Sequence, residues 1–210
     1  GTCASSTVTI TSSTLSEGTY TNITATQTDP SNNVSANSLA FSFTIDTTAD
    51  APTGTPDMTS ATDSGTLSTD NLTNDSTPDF ELTCVVGSVV TLKQGATILG
   101  SANCATGSVS ITSSVLSDGT YSVYAIGSDV AGNISPNSTS LSVTIDTTSD
   151  SAPSALDLTT SSDSGISNND NITYDTTPTI DIVCVNGSVV TLYEGALAIA
   201  SGTCSGGSIS

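Results

Sequence analysis

Gly107-Ser-Val-Ser-Ile-Thr-Ser-Ser-Val-Leu-Ser-Asp-Gly-Thr-Tyr-Ser-Val-Tyr-Ala-Ile-Gly127 carries the reading of the fold. Two short alternating apolar runs lie either side of a turn signal, Asp118-Gly119. Period-two alternation marks half-buried strands. Tyr121 opens the second run directly after the Gly turn, the placement of a tyrosine corner, whose hydroxyl bonds back to the upstream backbone. Glu17-Gly-Thr-Tyr20 repeats the device, so Tyr20 and Tyr121 take structural roles. Working outward, similar runs bounded by Gly, Pro, Asn and Asp predict strands near 55–61, 79–85, 88–93, 96–102, 107–113, 120–128 and 139–147. No stretch has a helical period.

Those strands recur. Gly87-Ser-Val-Val-Thr-Leu92 returns as Gly187-Ser-Val-Val-Thr-Leu192, and Thr44-Ile-Asp-Thr-Thr48 returns at 144–148. Residues 47–104 and 147–204 share 26 identities in 58 ungapped positions. The period is one small domain, and self-similarity of this kind is the mark of a tandem array. Seven short strands per period predict an all-β fold of tandem immunoglobulin-like β-sandwiches in an extended array. The phase gives the C-terminal part of one repeat at 1–48, a complete repeat at 49–148 and the N-terminal part of the next at 149–210. Gly1-Thr-Cys3 matches Gly202-Thr-Cys204, so the sequence reads as an excerpt from a longer array, with any signal peptide, anchor or tip outside it.

Composition narrows the function. There are 20 acidic residues, one basic residue (Lys93), no His, no Trp and a net charge of −19. Nucleic acid is excluded as a partner, because phosphate neutralisation needs clustered Lys and Arg. Without His there is no Ser/His or Cys/His catalytic pair, and no carboxylate pair has an apolar pocket to make it a glycosidase acid. The chain is read as non-enzymatic. No apolar run approaches the ~20 residues of a membrane span. Ser and Thr number 38 and 39, so the Asn-X-Ser/Thr sites, eight among 13 Asn, barely exceed chance.

Several stretches together resemble the bacterial immunoglobulin-like repeats of large surface adhesins and biofilm-associated proteins. They are Asp70-Asn-Leu-Thr-Asn-Asp-Ser-Thr-Pro78 with Asp170-Asn-Ile-Thr-Tyr-Asp-Thr-Thr-Pro178, Gly187-Ser-Val-Val-Thr-Leu-Tyr-Glu-Gly195, Leu116-Ser-Asp-Gly-Thr-Tyr121, Asp129-Val-Ala-Gly-Asn133 and Thr144-Ile-Asp-Thr-Thr148. The resemblance spans the whole chain and implies a repeated spacer. Two departures stand out. The strand 107–110 has Val109 where the family usually has Trp, leaving a smaller core, and the family is usually poor in cysteine.

Cys84 and Cys104 recur as Cys184 and Cys204, each pair 20 apart, and Cys3 matches the second member of a pair begun upstream. One disulfide per repeat is expected, 84–104 and 184–204, contributing ~3 kcal/mol by loop closure. Reduced core thiols and bridges between repeats or chains are the rivals. Zinc needs about four ligands where a repeat offers two. Bridged cysteines place the chain in an oxidising compartment, secreted or on a bacterial cell surface.

Acidic residues at 29, 46, 50, 57, 63, 70, 75 and 81 each have an acidic counterpart 100 later. Carboxylates that keep their place without Lys or Arg nearby suit a hard cation, and calcium accepts six to eight oxygens. The candidate ligands are Asp46, Asp50, Asp63, Asp70, Asp75, Asp129, Asp146, Asp150, Asp163, Asp170 and Asp175. Topology puts Asp63, Asp70 and Asp75 at the end where the last strand leaves toward Asp146 and Asp150. Asp129, with Asn133, faces the preceding link with Asp46 and Asp50. Calcium at the junctions is also what the family resemblance implies. Asp57 and Asp118 read as turn or surface residues, and Asp side chains also cap turns by themselves.

The expectation is a stalk or fibre of an extracellular adhesin, its repeats partnered by their neighbours and stiffened by calcium. The rivals are ligand binding by each repeat, to a glycan or a protein, and lateral or head-to-tail self-association into a filament.

Overall fold

The computed structural model describes residues 7–52, 54–206 and 208–209, so Cys3 lies outside the described residues. Among them every regular element is a strand. The chain divides into two units, Gly1–Thr147 and Thr148–Ser210. The repeats expected at 1–48 and 49–148 fall, but for Thr148, in the first unit, and the part expected at 149–210 falls in the second.

The first unit opens with an antiparallel hairpin, β1 (Gly18–Ile23) with β2 (Phe41–Ile45). Eight strands follow: β3 (Asp57–Met58), β4 (Leu72–Thr73), β5 (Asp79–Thr83), β6 (Val89–Gln94), β7 (Thr97–Asn103), β8 (Ser108–Thr112), β9 (Gly119–Ser128) and β10 (Leu141–Ile145). They make two sheets, β3-β5-β8 and β4-β10-β9-β6-β7, an immunoglobulin-like sandwich. All pairings are antiparallel except β4 with β10, which is parallel. Seven of the eight strands fall on the runs read from the alternation. The first of these is shorter than its pattern, because only Asp57 and Met58 meet β5. The eighth, β4, escapes that reading because two residues cannot show a period.

Alternation becomes packing in this unit. Phe80 and Leu82 of β5 and Val109 and Ile111 of β8 point inward, as do Val90 and Leu92 of β6 and Val123 and Ala125 of β9. Val143 and Ile145 of β10 complete the layer, and all of these are buried. Burying each large aliphatic or aromatic side chain contributes roughly 1.5–3 kcal/mol against leaving it in water. Val109 sits opposite Leu82 across the β5–β8 pair and is 8% exposed, so an aliphatic pair fills this part of the core.

Two local devices fix the ends of these strands. The Tyr121 hydroxyl donates to the Ser117 carbonyl at 2.9 Å, and Tyr20 does the same to Ser16 at 2.9 Å. Each closes over a Gly at positive φ, 148° at Gly119 and 143° at Gly18, where a side chain would be strained. Cys84 directly follows β5 and Cys104 directly follows β7. Their sulfurs are bonded, with Cα atoms 6.1 Å apart, so the bridge ties one sheet to the edge of the other.

The second unit repeats the first part of that plan. β11 (Ser154–Leu158), β12 (Ile180–Val183) and β15 (Ser208–Ile209) form one sheet, β13 (Val189–Glu194) and β14 (Leu197–Thr203) the other. The β13–β14 register shifts between Leu192 and Tyr193, as β6–β7 shifts between Leu92 and Lys93. Cys184 and Cys204 are bonded, again with Cα atoms 6.1 Å apart.

Candidate functional site

The loop between β3 and β5 is held by a button of short polar residues. Asp63-Ser-Gly65 lies along Asn71-Leu-Thr73: the Asn71 N–H donates to Asp63 Oδ2 at 3.1 Å, and the Gly65 N–H donates to the Leu72 carbonyl at 3.0 Å. The Ser64 and Thr73 hydroxyls meet at 3.0 Å. Gly65 has no alternative, since a Cβ there would stand 2.8 Å from the Leu72 carbonyl oxygen. Asn71 takes a left-handed φ of 59°, which Asn tolerates better than other side-chain-bearing residues. This turn aims β4 along β10. The Thr144 N–H then donates to the Asn71 carbonyl and the Asp146 N–H to the Thr73 carbonyl, both at 2.9 Å. The loop is thereby fastened to the end where the chain leaves the repeat. The second unit builds the same button: Asn171 to Asp163 Oδ2 at 3.2 Å, Gly165 to Ile172 at 3.1 Å, Ser164 with Thr173 at 2.9 Å, and Asn171 at φ 57°.

Among the expected ligands, Asp63 and Asp163 are set apart. Each is 3% exposed, and the Oδ1 of each is buried with no hydrogen-bond partner among the described residues. A buried carboxylate oxygen without a partner is costly, and the chain's one Lys is on β6. An unpartnered carboxylate oxygen is the kind of ligand that a hard cation such as calcium takes. The neighbouring acids are differently employed. Asp70 Oδ1 accepts the Leu72 N–H at 3.2 Å, and Asp170 Oδ1 accepts that of Ile172 at 3.1 Å. Asp75 Oδ1 accepts the Thr77 N–H at 2.8 Å and hydroxyl at 3.1 Å. Asp175 repeats this with Thr177 and takes the Ser162 hydroxyl as well; the Thr177 N–H, foremost, holds its carboxyl below the usual range. These are turn caps. No three His, Cys, Asp or Glu side chains gather to hold a metal among the described residues. A cation beside Asp63 would therefore complete its shell from hydroxyl, amide and backbone oxygens.

At the other end of the repeat, the turn after β9 packs on the preceding link. Asp129 Oδ1 accepts the N–H groups of Ala131 and Asn133, each at 2.9 Å, and Oδ2 accepts the Asn133 side-chain amide at 2.8 Å. That amide chiefly keeps the Asp129 carboxyl below its ordinary pKa, and Asn33 does the same for Asp29. The Asn133 amide also donates to the Asp46 carbonyl at 3.1 Å and lies 3.4 Å from Asp46 Oδ1. Asp46 and Asp129 thus share one amide. Asp50 reaches this end through its backbone, its carbonyl standing 3.3 Å from where a Cβ on Gly127 would lie. Asp150, in the second unit, accepts the Ser188 hydroxyl.

Two arrangements escape a reading of the sequence. Asp118, read there as a plain turn residue, accepts the Thr147 N–H at 2.9 Å and hydroxyl at 2.7 Å on Oδ1. Glu17 likewise takes the hydroxyls of Thr47 at 2.7 Å and Thr48 at 3.2 Å, and the Thr47 hydroxyl, foremost, lowers its pKa. The acid before each corner tyrosine therefore latches the start of the outgoing link, Asp118 through Thr147 and Glu17 through Thr47 and Thr48, and the signal was the shared recurrence of the two motifs. Asp57 also sits directly opposite Glu81 across β3–β5, as Asp157 does opposite Asp181 across β11–β12. Like charges so placed repel.

Comparison with known proteins agrees with this architecture. No curated protein matches the chain. A solved structure named "Biofilm associated protein - BSP domain" is similar at a TM-score of 0.33 and 19% identity, over 64% of this chain and 20% of that one. The chain therefore spans about a fifth of that structure's length. The family model described as "Bacterial Ig-like domain" matches residues 50–147 and again 150–206, and on that match the chain belongs to the bacterial Ig-like domain family.

Proposed function

We propose that the chain is a spacer segment of a bacterial surface adhesin, a non-enzymatic stalk whose links are stiffened by calcium. The observation that carries the calcium reading is the open carboxylate oxygen, Asp63 Oδ1 and again Asp163 Oδ1, in loops of identical construction. In the complete repeat that loop is bonded to the outgoing strand through Asp146, so an ion held there would act on the link. Asp63 and Asp163 are the leading ligands, and Asp70, Asp75, Asp146, Asp150, Asp170 and Asp175 lie in the same loops and links. Asp46 and Asp129, which share the Asn133 amide, are a second pair of candidate ligands. A link such as Asp146-Thr-Thr-Ser-Asp-Ser-Ala-Pro153 is flexible by composition. Ligands on both sides of it would fix bend and twist, and a row of repeats would become a rod. Length and stiffness would be its contribution to adhesion at the cell surface.

Small-angle scattering of three whole repeats, first with calcium and then with excess chelator, tests this. Calcium should lengthen the particle, the chelator should shorten it, and Asp63→Asn with Asp163→Asn should reduce calcium uptake in calorimetry. Unchanged dimensions and melting would refute the calcium sites and leave packing as the source of stiffness.

A further inference from the structure

The link that enters the complete repeat is bonded from both sides. From the preceding repeat, Glu17 takes the hydroxyls of Thr47 and Thr48. From the following one, the Asn133 amide donates to the Asp46 carbonyl at 3.1 Å. β9 adds a seat. A Cβ on Gly127 would stand 3.3 Å from the Asp50 carbonyl oxygen and 3.6 Å from Pro52 Cδ, so the link lies close against a residue with no side chain. An amide nitrogen has two N–H groups, and Asn133 uses one on Asp129 Oδ2 at 2.8 Å and the other on Asp46. Asp129 is therefore what points Asn133 at the link.

Both halves of this contact are kept in both copies. The turn Asp29-Pro-Ser-Asn-Asn33 has the same construction: Asp29 Oδ1 accepts the N–H groups of Ser31 at 2.9 Å and Asn33 at 2.8 Å, and Oδ2 accepts the Asn33 amide at 2.9 Å. Thr44-Ile-Asp-Thr-Thr48 returns letter for letter at 144–148, and Asp118 latches Thr147 as Glu17 latches Thr47. The seat is not repeated, since Gln27 stands where the complete repeat has Gly127. The amide, then, is the shared part. We propose that the turn 129–133 is a socket for the outgoing link of the repeat before it, and that Asn133 is the residue that grips that link. It grips the main-chain carbonyl of Asp46, so the contact is fixed by the path of the link as well as by its side chains. Because link and socket recur together, repeats can be added to a row or lost from it with the joint unchanged. The socket rests on the spacer reading of the chain and needs no calcium.

Backbone relaxation NMR of the 210-residue chain, in chelator and then in calcium, tests the proposal. In chelator the order parameters of residues 46–51 should stand near ~0.85, the value of rigid backbone, and fall below ~0.6 in Asn133→Ala. They should fall likewise in Asn133→Asp, which sets a third carboxylate beside Asp46 and Asp129. The Ala131 amide, bonded to Asp129, reports whether the turn keeps its shape in these variants, and the melting of the complete repeat reports the fold. If the turn is lost, Gly127→Ala decides, because its Cβ presses on the Asp50 carbonyl while Asp129 and Asn133 keep their bonds; mobility should then rise at Asp50 and Ala51. A link already mobile in the chelated chain, or one left rigid by every variant, would overturn the socket. Rigidity that appears only with calcium would also overturn it and would leave calcium at the links standing. Rigidity in chelator that calcium does not alter supports the socket and counts against calcium at this link.

Discussion

Removing the Cys84–Cys104 bridge should lengthen the unfolded repeat under tension while leaving the force that opens it nearly unchanged. The bridge spans 20 residues and holds their ends 6.1 Å apart. Freed and stretched, 20 residues reach roughly 72 Å at ~3.6 Å each, so each complete repeat should gain about 66 Å once the 6.1 Å already spanned is subtracted. The opening force is set elsewhere. Tension on the outgoing chain is borne first by β10, whose contact with β4 rests on the two backbone bonds from Thr144 and Asp146. Neither cysteine belongs to β4 or β10. A disulfide also acts mainly by constraining the unfolded chain, by ~3 kcal/mol for a loop of this size, so its loss should appear in refolding. The assay is single-molecule extension of the chain and of its Cys84→Ala, Cys104→Ala variant, with the event of residues 50–147 compared. An unchanged length increment would refute the lock, and a large fall in opening force with no change in refolding would refute the claim that the bridge lies off the loaded path.

Three further outcomes follow from single contacts. Tyr121→Phe keeps the ring and removes the bond to Ser117, so it should cost ~1 kcal/mol, read as a lower denaturant midpoint at constant m-value. Glu81→Lys turns the repulsion with Asp57 into attraction and should stabilise by about 0.5 kcal/mol, a rise in the same midpoint; a loss would show that the acidic pair has another use. Asp129 is held below its ordinary pKa by its bonds to the Asn133 loop. Its contribution is therefore complete above the unfolded value of ~3.9 and is lost as pH falls through the lower folded value. The Asn133 side-chain amide resonances should stay fixed from neutral pH to about pH 4, shift only below it, and show no such step in Asp129→Asn.

The fold was legible because three independent signals agree. Alternation placed the inward residues, such as Val109 and Ile111 or Val123 and Ala125, and the structure buries them. Gly119 before Tyr121 marked the corner, and a period of about 100 residues aligned each copy with the next. β4 was hidden for a physical reason. Leu72–Thr73 becomes a strand only because Asn71 turns left-handed and Gly65 leaves room for the Leu72 carbonyl. That is a tertiary event, and no local pattern of two residues announces it.

The candidate site shows the other limit of a sequence. Asp63, Asp70 and Asp75 are one residue type, kept at one spacing in both copies, and nothing in the letters ranks them. The ranking comes from where the backbone N–H groups lie. Asp70 and Asp75 each find one two residues ahead, at Leu72 and Thr77, and become turn caps. Asp63 is instead drawn under the loop by the N–H of Asn71, eight residues away, which satisfies Oδ2 and leaves Oδ1 buried and open. Recurrence alone shows that an acid matters at a position, because turn capping and cation binding both preserve it. The difference between them is the solvent and hydrogen bonds denied to a single oxygen. Asp163 repeats that denial at the same atom, against different neighbours, Ile172 for Leu72 and Tyr174 for Asn74. The proposed calcium reading rests on that repetition, and the calorimetry of Asp63→Asn with Asp163→Asn tests it.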